Sequence, residues 1–441
     1  MIDTCSLVRE DFPLICSFDH PLDSVSEASH KIFSSEIFSN AISTYSDISE
    51  LSQNLQTRII ANITLRTELC TKLQEIVLKI HDLVEMYRGQ GEFKMEFDPL
   101  NAVLNKHARL QENGVFVVPP EILNPIIMGI SGTYFLLDRE MMALAVIKPL
   151  DEEYGCINNP KGFNTLRLDS PARAYIPLYQ SALKEALTYQ FAKVLSVESI
   201  APQTSLAVLR SEGFFDFRDH PEITLVQSLK SLELFSECEP LLREKLCSVQ
   251  EFIPNSETLL KLIKKTVKQF NLKQFENLNQ RIIEQFDQQQ FEDLNILIWA
   301  IYDTDAHSEN IMTFVLRYDK NGQEVYGLKK IDNGLAFPEK NKAFWNDLML
   351  LPNANYPLSL EGKQKLLTAD VEALTQKMRE YGLEKSIPAF RERIALLKKL
   401  ALKPNITIEE INQELEKLGK ECKHVDRLCS CSYSYNIASN S

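Results

Sequence analysis

Asp305, Asn310 and Asp332 are the polar residues of this chain whose types and order suggest a reaction. The amide follows the first carboxylate five residues on, and the second carboxylate lies beyond a hairpin pattern. Phosphoryl transfer to a hydroxyl needs a carboxylate that orients the attacking group and takes its proton. It also needs oxygen donors that hold a divalent cation against phosphates. Upstream, Lys148 closes the apolar run Ala145-Val-Ile. A lysine ending a buried strand is costly unless its ammonium meets water or a partner, and a phosphate would serve. Gly129 and Gly132 interrupt apolar strands in a chain with only 14 glycines. Glycine lets backbone N–H groups approach an anion closely and takes positive φ without strain, although a simple hairpin turn explains the pair as well.

The surrounding pattern supplies elements to hold these groups. Tyr134–Leu137 and Leu144–Lys148 read as strands paired around a turn at Asp138–Met142, with Leu206–Leu209 and Ser231–Phe235 as further strands. Leu183, Leu187, Phe191 and Val194 share one face of a helix over Ser181–Leu195. Phe291–Tyr302 is apolar nearly all round, which predicts a buried helix. Ile311–Arg317 and Val325–Ile331 flank Asp319-Lys-Asn-Gly322, a hairpin signal. Gly334 is expected to let the chain turn away after Asp332. Helical patterns fill residues 363–401 and 408–420, the latter opened by Thr407 with Glu410 as a capping box.

At these residues the chain resembles the phosphatidylinositol 3-/4-kinase superfamily, most closely the type II phosphatidylinositol 4-kinases. Gly132-Thr-Tyr-Phe is similar to that family's glycine loop, and Lys148-Pro-Leu-Asp-Glu-Glu-Tyr-Gly155 with Asn159-Pro160 to its lysine motif. Ser231-Leu-Glu-Leu-Phe-Ser-Glu237 resembles the hinge between lobes, and Gln290-Phe-Glu-x-Leu294 the helix leading into the catalytic loop. Ile331-Asp-Asn-Gly-Leu-Ala-Phe-Pro338 is similar to the metal-binding signature nearly letter for letter, and Trp345, Leu351-Pro352 and Pro357 to the activation segment.

The resemblance spans about residues 115–400 and implies an α+β, two-lobed kinase-like fold, with a small β-rich N-lobe and a larger, mostly helical C-lobe. The expected division is a serine-rich acidic tail over 1–47, a helical, coiled-coil-like segment over 48–114, the N-lobe over 115–235, the C-lobe over 236–400, and a C-terminal helix with a cysteine-containing tail over 401–441. ATP and Mg2+ or Mn2+ are the implied cofactors. Lys148 and the loop residues Gly129, Ser131, Gly132 and Thr133 would meet the phosphates, with Glu185 behind the lysine and Phe235 and Ser236 bordering adenine. Asp305 would be the catalytic aspartate, and Asn310 and Asp332 the metal ligands. Ala306 departs from the family's usual arginine, and His307 resembles a 3-kinase loop histidine able to contact the transferred phosphate.

Composition narrows the classes further. Hydrophobic residues make up 44% and charged residues 25% of the 441, ordinary globular usage. The longest apolar runs, Ile296–Tyr302 and Met141–Ile147, fall far short of the roughly 20 residues of a membrane span. Met1–Glu10 lacks a basic run before an apolar core, which predicts no secretory signal of the usual kind. The net charge of −13, with nine acidic and two basic residues in the first fifty, shows no basic stripe for nucleic acid. Nine scattered cysteines suggest a reduced intracellular protein, although Cys422, His424, Cys429 and Cys431 cluster near the C-terminus, where a metal or a lipid anchor are alternatives. Leu69, Leu73, Ile76, Ile80, Leu83 and Tyr87 keep one helical stripe in the N-terminal segment.

For the acceptor, Lys340 and Lys342 precede Phe344, Trp345, Leu348, Met349, Leu350 and Leu351, a pattern suited to a phosphoinositide-bearing membrane surface. That reading places the chain in the cytoplasm, peripherally on a membrane. Core packing of the same run, a protein substrate, or a degenerate kinase that only binds nucleotide are the alternatives. The serine-rich leader on a eukaryote-like kinase also fits a bacterial effector delivered into host cytosol.

Overall fold

The computed structural model describes residues 99–112, 114–127, 129–154, 156, 159–161, 175–214, 244–269, 283–342 and 345–419. The expected tail over 1–47, the helical stripe over 69–87, the hinge with Phe235 and Ser236, and the C-terminal cysteine cluster lie outside them.

The described chain opens with helix α1 (Pro99–His107), followed by strands β1 (Arg109–Leu110), β2 (Phe116–Val117), β3 (Leu123–Pro125), β4 (Tyr134–Leu137) and β5 (Ala143–Pro149). Helix α2 (Ser181–Val194) then precedes β6 (Thr204–Arg210) and β7 (Glu244–Glu251). These strands form one seven-stranded sheet in the order β1-β2-β6-β7-β5-β4-β3. The β4–β5 pair forms as expected, its turn fixed by Asp138, whose Oδ1 accepts the amides of Glu140 and Met142. In β5, Ala145 and Ile147 point into a core with Leu100 and Leu104 of α1, Leu136, Leu209 and Val249, which leaves Lys148 on the other face.

The remainder is helix-rich: β8 (Glu257–Thr258), α3 (Leu259–Gln269), α4 (Gln288–Ile301), β9 (Ile311–Tyr318), β10 (Glu324–Lys330), α5 (Leu360–Thr368), α6 (Val371–Glu380), α7 (Ile387–Ala401) and α8 (Ile408–Gly419). A second sheet runs β10-β9-β8, and its β9–β10 hairpin turns at Asp319–Gly322 as expected. Helix α4 is capped by Asp287, which accepts the Gln290 amide, and it is buried from Phe291 to Ile301. The capping box of α8 closes reciprocally. Thr407 Oγ1 accepts the Glu410 amide at 3.1 Å, and Glu410 Oε2 accepts the Thr407 amide at 2.9 Å. The chain is therefore a mixed α+β structure whose described residues form two hydrophobic cores, one under the large sheet and one around α4.

Three expected boundaries move. Helix α1 and β1 belong to the sheet's core rather than to a separate segment ending at 114. The sheet continues past 235, because β7 pairs with β5 from Glu251 to Cys247. Helix α8 packs Ile408, Ile411 and Leu415 into the helical core, so that core does not stop at 400.

Candidate active site

Lys148 leaves β5 toward α2. Its Nζ lies 2.5 Å from Glu185 Oε1 and 2.9 Å from Asp332 Oδ1. Burial alone would lower its pKa, but the Asp332 and Glu185 carboxylates outweigh that and raise it, so the ammonium stays charged. Glu185 is buried, and its other oxygen accepts from Asn333 Nδ2 at 3.0 Å. Helix α2 presents Glu185 firmly because its apolar face, Leu187 and Phe191, belongs to the helical core, where Phe191 meets Phe337 and Phe390 edge-on. The Lys148–Glu185 pair thus joins the sheet to the helical half.

The loop after α4 carries the second group. Tyr302 ends the helix in the left-handed region (φ 50°), a position that usually favours glycine. Its buried hydroxyl donates to the carbonyls of Lys342 and Leu415. The next turns are tight: His307 N–H donates to Asp305 O, and Asn310 N–H to His307 O, each at 2.9 Å. Asn310 Nδ2 donates to Asp305 O at 3.0 Å and to Asp305 Oδ2 at 3.3 Å. Both Nδ2 bonds turn the amide oxygen of Asn310 away from Asp305. Burial, with Asp303 and Asp332 nearby, pushes the Asp305 carboxyl up to about 6, against a lowering pull from His307. His307 Nε2 stands 3.6 Å from Asp305 Oδ2, while its Nδ1 accepts the Glu309 amide and leaves Nε2 as the donor.

Asp332 follows β10 by one residue, Ile331, whose amide donates to Asn310 O at 3.0 Å and so ties the two loops together. Lys148, the first influence, holds the Asp332 carboxyl below its ordinary range. Asp332 itself makes the turn, with φ 56°. This corrects the role expected of Gly334, which is not in the left-handed region. A Cβ there would come within 3.1 Å of Ser181 Cβ, so glycine serves close packing against the start of α2.

The glycine loop is also built differently from the expectation. Gly129 does take φ 82°, but the Gly132 amide donates to Glu152 O at 2.8 Å, and a Cβ on Gly132 would overlap the Glu152 carboxyl. Ser131 Oγ accepts the Tyr154 amide at 3.2 Å, and Thr133 Oγ1 lies 3.5 Å from Ser131 O. The lysine-motif acids, assigned no role from sequence, are structural supports of the site. Glu152 accepts from Tyr134 Oη at 2.7 Å and Lys245 Nζ at 2.5 Å, and Lys245 also lies 3.2 Å from Asp151. With two carboxylates sharing one ammonium, burial pushes Glu152 up to about 7. Glu153 accepts the amides of Tyr179 and Ser181, fixing the entry to α2.

Asn159 Nδ2 donates to Ile130 O at 2.8 Å and Glu152 O at 3.1 Å. Lys161 Nζ donates to Gly129 O at 3.3 Å. Burial lowers the Lys161 pKa, opposed by the charges of Asp332 and Glu152, which places its ammonium in the field of the same site. Sequence reading missed Lys161, and its position just after Asn159-Pro160 was the available signal.

The activation-like segment divides. Lys342, Leu348 and Leu351 are buried, and Met349 packs on the core, whereas Lys340, Trp345 and Leu350 are exposed. The expected basic pair thus reduces to Lys340, which lies over the Tyr175 ring, and Phe344 is outside the described residues. Trp345 Nε1 donates to Asp347 Oδ1 at 2.6 Å, and Asp347 Oδ2 accepts the Ser308 amide at 2.7 Å. Ala306 is fully buried and bridged to Asn346.

Among the described residues, no cluster of three or more His, Cys, Asp or Glu side chains forms a metal cage. The candidate donors are one carboxylate and one amide. That set suits Mg2+ or Mn2+, which keeps part of its shell for phosphates and water. Asp332 uses one oxygen on Lys148 and is otherwise open.

Comparison with protein-family models finds no match. Curated proteins do match. Phosphatidylinositol 4-kinase gamma 6 of Arabidopsis thaliana is 25% identical over 243 residues, 54% of this chain and 33% of that protein. Phosphatidylinositol 4-kinase type 2-beta of Xenopus tropicalis is 28% identical over 327 residues, 63% of this chain and 60% of that protein. The type 2-alpha enzyme of Xenopus laevis is 29% identical over 272 residues, 55% of this chain and 54% of that protein. The curated relatives of this chain are phosphatidylinositol 4-kinases. The chain spans about a third of the length of the plant gamma 6 protein and 60% of the type 2-beta protein. Among solved structures, the Helicobacter pylori proinflammatory kinase CtkA aligns with 64% of this chain and 95% of its own, at 10% identity and a TM-score of 0.32.

Proposed function

We propose that the chain transfers the terminal phosphoryl group of ATP to a hydroxyl of an inositol lipid. The observation that carries this reading is the bridge from Lys148 through Asp332 to the Asn310–Asp305 turn, which gathers one ammonium and the three oxygen donors from three separate stretches. The similarity to phosphatidylinositol 4-kinases supports the lipid acceptor.

In this reading Asp305 receives the proton of the lipid hydroxyl as its oxygen bonds the terminal phosphorus and the bond to the ADP oxygen breaks. A carboxyl raised to about 6 is still mostly ionised at neutral pH and is a better base than an ordinary aspartate. Lys148 exchanges its contact with Asp332 for phosphate oxygens while Glu185 keeps it in place. Asn310 and Asp332 would hold Mg2+ or Mn2+, which when bound neutralises charge developing on the phosphates. The loop from Gly129 to Thr133 lies over the phosphates, and Lys161, fixed to that loop, adds a cation where Ala306 supplies none. His307 contacts the transferred group through Nε2. Phe235 and Ser236, outside the described residues, are assigned to the adenine border by the resemblance alone. Exposed Trp345 and Leu350, with Lys340, meet the membrane, and attachment is peripheral. Among the described residues no helix is long and apolar enough to cross a bilayer.

The test is incubation of the full chain with labelled ATP and Mg2+ and either phosphatidylinositol vesicles or a protein lysate, with Asp305→Ala as control. Label in lipid that disappears in the variant is expected. Label in protein only would replace the lipid acceptor by a protein one, and no transfer at high enzyme concentration would reduce the chain to a nucleotide-binding module. Fusing residues 1–47 to a reporter and measuring its export tests delivery as an effector.

A further inference from the structure

Asp303 and Lys330 are outside the proposed reacting set, yet their side chains are an ion pair with no exposure on either partner. Burying two charges costs several kcal/mol per ion, and packed apolar residues of similar size often do as well or better for stability. The pair therefore calls for a task that an apolar pair could not perform. Its geometry supplies one. Lys330 Nζ lies 2.6 Å from Asp303 Oδ2 and donates to Ile331 O at 2.6 Å and to Asp332 O at 3.4 Å. The ammonium thus donates to two carbonyls of the loop that bears Asp332 and stands at ion-pair distance from the Asp303 carboxylate. Asp303 Oδ1 accepts the Asp305 amide at 3.1 Å, and the Asp303 amide reaches back to Ile298 O at the end of α4.

We infer that Asp303 and Lys330 are positioning residues: a buried ionic clamp that sets the backbone of Asp305 against the backbone of Asp332. It holds the Asp332 carbonyl while that residue keeps a left-handed φ, a conformation that costs a non-glycine residue energy unless its surroundings fix it. Two neutral contacts run beside it, Ile331 N–H to Asn310 O and Thr304 Oγ1 to Leu335 O, but neither touches Asp305 or Asp332. The inference rests on the phosphotransfer reading, since it concerns the spacing of that reading's base and metal ligand.

The experiment compares wild type, Asp303→Asn, Lys330→Met and the double variant Asp303→Asn/Lys330→Met. Melting temperature, nucleotide affinity with and without Mn2+, and kcat and KM for ATP are measured. Asparagine keeps the shape of Asp303 and an acceptor for the Asp305 amide, so that variant folds even if Lys330→Met does not. Each foldable single variant should lose about 10- to 100-fold in kcat and in the Mn2+-dependent part of nucleotide affinity, with metal-free affinity unchanged, the range typical of groups that orient metal ligands. The double variant, with no stranded charge, should recover melting temperature but not kcat. Recovery of both together would make the pair merely structural and overturn the clamp, as would an Asp303→Asn variant with wild-type kcat and Mn2+ response. If wild type itself binds nucleotide no better with Mn2+ than without, the phosphotransfer reading fails and the clamp with it. A normal wild-type response beside unaffected variants removes the clamp alone.

Discussion

Lys148 and Lys330 each stand at the end of a strand and reach to the Asp332 loop, Lys148 also pairing with Glu185 on α2 and Lys330 with Asp303, but their surroundings differ. Lys148 is partly exposed, and one of its partners, Asp332, is more than half exposed. Lys330 and Asp303 are both shut away from water. The same pairing chemistry therefore serves two ends. An open pair can exchange a carboxylate for an incoming phosphate, because water and ligand compete for the ammonium on similar terms. A shut pair has no competitor and holds the loops to which it is bonded.

Substitutions can break or sharpen that contrast. The largest effect is expected on the open side. Asp305→Ala should lower transfer by about 10²–10⁴-fold, as for loss of a general base. Its melting temperature should stay within a few degrees of wild type, because the Asp305 side chain is only half-buried and belongs to neither hydrophobic core. Early melting of this variant would mean that the open region also supports the fold.

Next come the two lysines themselves. Lys330→Met should cost about 3–5 kcal/mol in denaturant unfolding, since it strands a buried charge. Lys148→Met should cost about 1–3 kcal/mol, because Asp332 is left in water and Glu185 keeps Asn333. Equal losses would erase the distinction between the pairs. In nucleotide titrations only Lys148→Met should weaken metal-free ATP binding, by about tenfold or more, the scale of a charged hydrogen bond to phosphate.

The pH profile is a finer probe. Asp305 must be ionised to accept a proton, and its carboxyl is raised to about 6, so kcat should fall as pH drops through that value. A cation held by Asn310 and Asp332 would lower the limb further. An acidic limb well above 6 would place the base elsewhere. The smallest change is expected at the surface. Trp345→Ala should reduce sedimentation with anionic phosphatidylinositol vesicles a few-fold, leaving ATP affinity unchanged. Undiminished sedimentation would assign the exposed Trp345 side chain no part in membrane contact.

Local patterns that need no distant partner were legible before the fold. The β4–β5 turn at Asp138, the buried helix α4, the β9–β10 hairpin and the capping box at Thr407 follow from periodicity and short-range hydrogen bonds. Strand β7 escaped notice because Lys245, Ser248 and Gln250 spoil its alternation. They are buried nonetheless, with Lys245 paired to Glu152 and Gln250 bonded to Thr204. Nothing in a linear pattern announces such partners, because they come from segments far away in the chain.

The sequence by itself determined which chemical groups exist and in what order: a lysine ending an apolar strand, then an aspartate, an asparagine and an aspartate around a hairpin. Only the tertiary structure decided that Asp332, not Gly334, makes the turn, that the Gly132 amide bonds to Glu152, and that Lys342 is buried while Trp345 is exposed. The physical reason is that burial and charge pairing depend on distance in space. Covalent order fixes distance over a few residues, and only the packing of α2 and α4 against the sheet and loops fixes the rest.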